Sequence, residues 1–274
     1  MSKKIAFLTT IFPINDEFLT DCFDSLEQQT FKKFDIIVVN DGYQKFDTIK
    51  KKYINLNIIE LPYKNTPSKN REYGINYVKT MGYDIVIFGD TDDYFEKNRI
   101  EKSIELLKAH DIVVNDLSLF NTHGIYNRQY LSNRISNHTI IDFAFILEKN
   151  IFGLSNTAIK LDLIDSVDFD PSLIAVDWYF FSLLLLKAKD AIFTNETQTF
   201  YRQYSDNTIG IGEITLKSIY NMLKVKKIHY GLMQKHHYYY EELYNKVIKL
   251  DNTKNFSNLS TFTINYPFWW ELNT

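Results

Sequence analysis

The sequence predicts an α/β fold: a mostly parallel central sheet flanked by helices, with a helical C-terminal extension. Three observations carry this expectation. Continuous apolar runs alternate with stretches of helical period through the first hundred or so residues, a pattern that implies right-handed crossovers and a parallel sheet. Three of those runs end in hydroxyl, amide or carboxylate side chains, where open parallel sheets hold their ligands. From about Glu213 to Leu250 the chain reads as helix, rich in Lys and Tyr.

The elements follow in order. "KIAFLTT" (4–10) is a buried strand. "NDEFLTDCFDSLEQQ" places Phe18, Leu19, Cys22, Phe23 and Leu26 at helical spacing, with Asn15 or Asp16 as its cap. "FDIIVVN" (34–40) is the second strand and runs into "NDG". A short helix, the strand "LNIIEL" (56–61), the turn "NTPS" and a helix from about Ser68 to Thr80 come next. "DIVIFG" (84–89) is the fourth strand, followed by the helix "RIEKSIELLKAH" (99–110) and the strand "DIVVND" (111–116). Residues from about 121 to 138 are polar and irregular, a mobile loop or a small hairpin. "LSNTAIK" (154–160) is a further strand, a strongly apolar helix opens near Asp177, and "AIFTN" and "TFYRQY" are two short strands. With no internal repeat and no flexible linker, the expected organisation is one unit over 1–210, with halves 1–100 and 101–210, and an extension over 211–274.

Composition narrows the class. Of 274 residues, 45% are hydrophobic and 24% charged, the balance of a globular protein in water. A formal net charge of −3 argues against broad electrostatic nucleic-acid binding. A single cysteine, Cys22, excludes an intrachain disulfide and suits a reducing compartment. The N-terminal apolar run is too short for a signal peptide, and "WYFFSLLLL" (178–186) is too short to span a bilayer. The expected location is the cytoplasm.

The chemistry gathers at strand ends: Thr9 and Thr10 after the first, Asn40 and Asp41 after the second, and Asp90, Asp92 and Asp93 in "FGDTDDYF" after the fourth. Carboxylates this close raise one another's pKa, and a hard divalent cation offsets the repulsion. The alternative is a solvated acidic turn that caps the next helix. Neither G-x-G-x-x-G nor G-x-x-x-x-G-K-[ST] occurs, so a metal would have to carry most of the charge of a bound diphosphate.

Taken together, these motifs resemble the inverting GT-A glycosyltransferases of glycosyltransferase family 2, over roughly Lys4 to Asn207. "VVNDGY" resembles that family's strand-end acidic motif, with Tyr43 where serine is usual. "TPSKNREYGINYV" is similar to its helix start, with Arg71 in the arginine place and Glu72 where asparagine is common. "FGDTDDYF" resembles its Asp-x-Asp-Asp motif. "DFDPSLIAVDWYF" resembles the segment ending in Glu-Asp-Trp, with Val176 replacing the glutamate and Asp177 keeping the aspartate. "YRQYSDNT" is similar to its Tyr-Arg-x-His segment, with Tyr204 where histidine is frequent.

The resemblance implies a Rossmann-like GT-A sheet and a nucleotide-diphosphate sugar donor, a UDP-sugar first of all. It implies a glycan or lipid-linked acceptor and Mn²⁺ or Mg²⁺ held by Asp92 and Asp90. It makes Asp177 the catalytic base, where the bland alternative is plain helix capping. Thr9, Asp41, Arg71, Asp90, Asp93 and Arg202 become donor-site residues: Asp90 near the ribose, Asp41 at the nucleotide base, Arg71 at the nucleotide or its diphosphate, Arg202 as a late diphosphate clamp. Asp93 either caps the next helix or meets donor sugar hydroxyls. The bland readings are a turn residue for Asp41, a solvated helix position for Arg71 and a strand-end salt bridge for Arg202. A non-catalytic sugar-binding or scaffold module is the alternative function, favoured by the Val176 and Tyr204 departures. A phosphatase reading of "DTDD" fails, because that motif belongs after the first strand and here follows the fourth. The Lys-, Ile- and Asn-rich composition points to an AT-rich bacterial genome and to surface-polysaccharide assembly.

The tail admits two readings. Basic helices followed by "YPFWWELNT" could meet a membrane surface from the inner face. The favoured reading is that the helices close the back of the domain and Phe268, Trp269 and Trp270 pack on it or on a second subunit.

Overall fold

The computed structural model describes residues 3–188, 190–204, 215–253, 263–264 and 266–273. Four parallel strands form its first half: β1 (Ile5–Ile11), β2 (Asp35–Asn40), β3 (Asn57–Pro62) and β4 (Ile85–Phe88), in the order β3-β2-β1-β4. The helices between them are α1 (Asp16–Glu27), α2 (Phe46–Lys52) and α3 (Pro67–Thr80). Alternation along β1 sorts the two faces. Ile5, Phe7 and Ile11 pack with Leu19 and Phe23 of α1 and Phe46 of α2, whereas Ala6 and Leu8 pack with Ile75 and Val78 of α3. Both helix starts carry their caps: Asn15 accepts from Glu17 N–H at 3.0 Å, and Thr66 precedes Pro67 at the first helical position.

The second half of the sheet is mixed rather than parallel. β9 (Thr157–Lys160) runs antiparallel between β4 and β6 (Ile112–Asn121), and β10 (Ala191–Arg202) then pairs parallel with β6. The short β5 (Tyr94–Phe95) closes this edge against β10. The segments read as two strands, "AIFTN" and "TFYRQY", form the single strand β10, whose register slips between Thr194 and Gln198. The slip takes up the polar residues that break the apolar run. Of the two readings of residues 121–138, a hairpin is present: β7 (Gly124–Asn127) folds back on the end of β6. A short strand, β8 (Ile140–Ile141), pairs with β10. The helix expected over 99–110 is regular over α4 (Arg99–Leu106).

α5 (Val176–Leu185) is apolar all round, and its Trp178, Phe180 and Phe181 are fully buried, as expected of a helix enclosed on every side. Its cover comes from α6 (Leu216–Met233), with α7 (Tyr239–Thr253) against α6. The expected boundary at 210/211 lies outside the described residues. Beyond α7, the two-residue strands β11 (Thr263–Ile264) and β12 (Leu272–Asn273) form a small antiparallel pair. Phe268, Trp269 and Trp270 between them are buried. All three pack on the domain, Phe268 against Phe145 and the two tryptophans where they line a cleft. Among the described residues no helix is long and apolar enough to cross a membrane.

Candidate active site

A cleft opens at the carboxyl ends of β1, β2 and β4. Its lining includes Thr10, Asp41, Thr66, Arg71, Asp90 and Asp92 together with Ser155, Leu173, Asp177, Tyr201, Trp269 and Trp270. It holds ≈1070 Å³, above the roughly 300–1,000 Å³ of an ordinary small-molecule pocket, so there is room for two substrates.

The three aspartates after β4 occupy three different environments. Asp90 Oδ1 is paired with the Arg71 guanidinium at 2.9 Å, and its backbone N–H donates to Ser155 Oγ. Asp92 Oδ2 accepts a hydrogen bond from the Tyr204 hydroxyl at 2.8 Å. Burial, and after it the charge of Asp90, holds the Asp92 carboxyl above its ordinary pKa. Asp93 is fully buried, accepting from the Ser155 hydroxyl and from Arg202 N–H. Burial pushes its pKa well up, with Asp92 and Asp90 adding to the effect. Beneath the turn, the buried Arg99 guanidinium donates to Phe88 O at 2.6 Å.

Two of the expected donor-site residues are already engaged by the protein. Asp93 does not line the cleft; its carboxylate oxygens tie the acidic turn to Ser155, ahead of β9, and to the end of β10, and Asn98 rather than Asp93 precedes α4. Arg202 is a strand-end anchor. Its Nε donates to Asp92 O at 2.7 Å, an Nη pairs with Asp21 at 2.6 Å, and the guanidinium lies over Phe18 and Phe120. Strand alternation turns Thr9 to the opposite face from Thr10, so Thr10 lines the cleft while Thr9 Oγ1 is buried with no hydrogen-bond partner among the described residues.

Asp41 and Arg71 both line the cleft. Gly42, next to Asp41, has φ +88°, a conformation glycine adopts without strain. It lets the chain turn away sharply and leaves Asp41 at the strand end.

Asp177 stands in the first turn of α5 and lines the same cleft as the acidic turn. It is not the capping residue: Ala175 holds that place, and Asp177 Oδ1 accepts from Trp178 N–H at 2.8 Å. Its other oxygen accepts from Asn150 Nδ2 at 3.3 Å. Burial raises the carboxyl to about 6, opposed by the Trp178 N–H and the Arg71 charge. Val176, where an acid is common in the resembled motif, is buried.

Sequence reading missed Asn150, Ser155 and the placement of the two tryptophans. Asn150 is buried, satisfies Phe152 N and O with its side chain, and pairs its backbone with Trp269 in both directions at 2.8 and 3.0 Å. Ser155 was read only as part of a strand; its hydroxyl in fact joins Asp90 and Asp93.

Among the described residues no set of three or more His, Cys, Asp or Glu side chains gathers to hold a metal. On the acidic turn the cleft lining offers two carboxylates, Asp90 and Asp92, with Asp92 raised by burial and by its neighbour. Two neighbouring hard oxygen donors fit a divalent cation that completes its shell from phosphate and water.

Residues 14–164 match the model of Glycosyl transferase family 2. The chain belongs to that family. It is 26% identical over 218 residues to Glycosyltransferase GlyA of Streptococcus pneumoniae serotype 4, covering 74% of this chain and 31% of that protein. The chain thus spans about a third of the length of this curated relative. Among solved structures it resembles S. aureus TarS 1-349 in complex with UDP-GlcNAc, with a TM-score of 0.65 at 14% identity over 93% of this chain and 74% of that one. It also resembles the mannosyltransferase PcManGT of Pyrobaculum calidifontis in complex with GDP-Man and Mn²⁺, with a TM-score of 0.57 at 11% identity over 85% and 64% of the two chains. The fold of this family 2 member is GT-A.

Proposed function

We propose that the protein transfers a sugar from a nucleotide-diphosphate sugar, a UDP-sugar first of all, to a glycan or glycoconjugate acceptor, with inversion at the anomeric carbon. The observation that carries this reading is one cleft lined both by Asp90, Asp92 and Arg71 and by the raised carboxyl of Asp177. Relatives bound to UDP-GlcNAc and to GDP-Man support a nucleotide-sugar donor.

In this reading Asp41 accepts a hydrogen bond from the nucleotide base, and Arg71, already neutralising Asp90, faces the phosphates. Asp92 and Asp90 would hold Mn²⁺ or Mg²⁺, which supplies Lewis-acid stabilisation of the leaving diphosphate. Asp177 takes the proton of the acceptor hydroxyl. A carboxylate with a pKa near 6 is ionised at neutral pH yet more basic than an ordinary aspartate, as general-base catalysis favours. Attack comes from the face opposite the diphosphate, which inverts the configuration. The transferase unit is 1–210, with 211–274 as an extension. We place its work in the cytoplasm, in bacterial surface-polysaccharide assembly, on the composition alone. The buried Val176 and the Tyr204–Asp92 hydrogen bond leave base and acidic pair in place, and so do not favour a non-catalytic module.

Thermal stabilisation by UDP and GDP, with Mn²⁺ and with EDTA, tests the donor site. A nucleotide at a hundred times its Kd should add about 2.7 kcal/mol. Asp92→Ala should lose the part that needs the cation. Equal stabilisation with EDTA contradicts metal dependence.

A further inference from the structure

Past Asp177 the cleft wall is built by the end of the chain. Trp269 and Trp270 line it together with Tyr201, Leu117, Leu173 and Val176. The wall is fixed in place by the paired backbones of Trp269 and Asn150, and Asn150 is the residue that donates to Asp177. Tyr201 and Trp269 meet edge to face at 6.2 Å, and the Trp270 ring lies parallel to that of Trp178 at 6.5 Å. Two features are costly unless put to use. Trp270 has φ +65°, a conformation uncommon outside glycine. Its Nε1–H is buried with no acceptor among the described residues, and an unmade buried hydrogen bond is destabilising.

Arg71 is the one cation among the described lining residues of the cleft, and it is paired with Asp90. Tyr201, Trp269, Trp270, Leu117 and Leu173 add aromatic and aliphatic surface to the same lining. Aromatic walls with a few placed polar groups suit a ligand with apolar faces and polar edges, and a sugar ring is such a ligand. A phosphate or carboxylate beside these rings would lie in the same cleft as Asp177 and Asp92, with no cation but the already paired Arg71 among the described lining residues.

We propose that Tyr201, Trp269 and Trp270 form the acceptor subsite and that it takes an uncharged sugar ring, one hydroxyl of which is directed at Asp177. The proposal rests on the reading of Asp177 as base. The acceptor hydroxyl gives its proton to Asp177, its oxygen forms the new bond to the anomeric carbon, and the bond to the diphosphate breaks with its electron pair leaving on the phosphate oxygen. A charged group elsewhere on the acceptor lies outside this subsite.

The test uses the full chain with saturating UDP and Mn²⁺. Two of its three tryptophans line the subsite, so tryptophan fluorescence reports occupancy. The probes are methyl glycosides of glucose, galactose and N-acetylglucosamine and the 6-phosphates of the same sugars. At least one neutral glycoside should perturb the fluorescence, and its 6-phosphate should bind at least tenfold more weakly. Trp269→Leu should raise the Kd for that glycoside at least tenfold, with Trp269→Phe closer to the parent and the Kd for UDP unchanged in both. Tyr201→Leu provides the same comparison if Trp269→Leu does not fold. Equal binding of neutral and phosphorylated sugars, no response to any neutral glycoside, or unaltered glycoside affinity in the folded leucine variants would overturn the proposal. Turnover of the parent, measured as UDP release from UDP-sugars, is scored separately: its failure counts against the transferase reading, while the fluorescence titration still judges the subsite.

Discussion

Asn150 holds the carboxylate of Asp177: its side-chain amide donates to Oδ2 at 3.3 Å across 27 positions of sequence. The bond favours the charged form of the acid. Asn150→Ala should therefore raise the Asp177 pKa above about 6 and move the acidic limb of the kcat/KM profile to higher pH. The same change leaves the Phe152 backbone groups without partners, at a cost of about 1–3 kcal/mol. A variant that melts earlier but keeps its pH limb would make Asn150 purely structural.

The parent protein should show the limb itself. A base must be ionised to accept a proton, and burial sets Asp177 at about 6. Measured as kcat/KM against pH, activity should climb about tenfold per unit below that value and level off above it. A flat profile between pH 5 and 7 would exclude Asp177 as the base.

Asp93 belongs to the scaffold, so Asp93→Ala should lower stability rather than donor affinity alone. It removes the acceptor to which the Ser155 hydroxyl and the Arg202 N–H are now bound. The expected loss is about 1–3 kcal/mol for each group left unsatisfied, read from denaturant unfolding. An unchanged midpoint with weaker donor binding would return Asp93 to the cleft.

His229 should make the protein sensitive to mild acid. It is buried flat against Trp178 at 3.9 Å, and neither ring nitrogen has a hydrogen-bond partner among the described residues. Burial, then the charge of Lys226, holds it well below its ordinary 6.5. Below that ordinary value the unfolded chain takes up a proton that the folded chain refuses, so stability falls as pH drops. Asp177, raised when folded, acts in the opposite sense between its ordinary 3.8 and about 6. That contribution is common to parent and variant and cancels between them. His229→Phe keeps a ring in the stack and should lose less Tm than the parent between pH 7.5 and 5.5. Equal losses would contradict this assignment.

Much of the fold was legible because buried parallel strands read as continuous apolar runs. The runs that became β1, β2 and β4 also show where they end, which put Asp41, Asp90 and Asp92 at the cleft. Asp177 came from resemblance, since a carboxylate in a first helical turn is locally indistinguishable from a cap. The direction of a side chain was not legible. Thr9 and Thr10 differ only by strand alternation relative to a layer the sequence does not display. Arg202 and Asp93 have residue types that suit a ligand, but their partners Asp21 and Ser155 are far along the chain. Nothing local marks Asn150 or brings Trp269 to it, because their pairing is made by the chain end returning across the cleft. β10 read as two strands because polar residues interrupt it where its register slips.

The central claim is that Asp177 is the base of a sugar transfer. Its most direct test is UDP release from a set of UDP-sugars in the presence of Mn²⁺ and a neutral glycan acceptor, comparing the parent with Asp177→Asn. The substitution keeps size and the hydrogen-bonding oxygen near Trp178 N–H, so folding and UDP affinity should hold. The account predicts acceptor-dependent release by the parent and a fall of about 10²- to 10⁴-fold in kcat for the variant. Turnover by Asp177→Asn within a few-fold of the parent would contradict it.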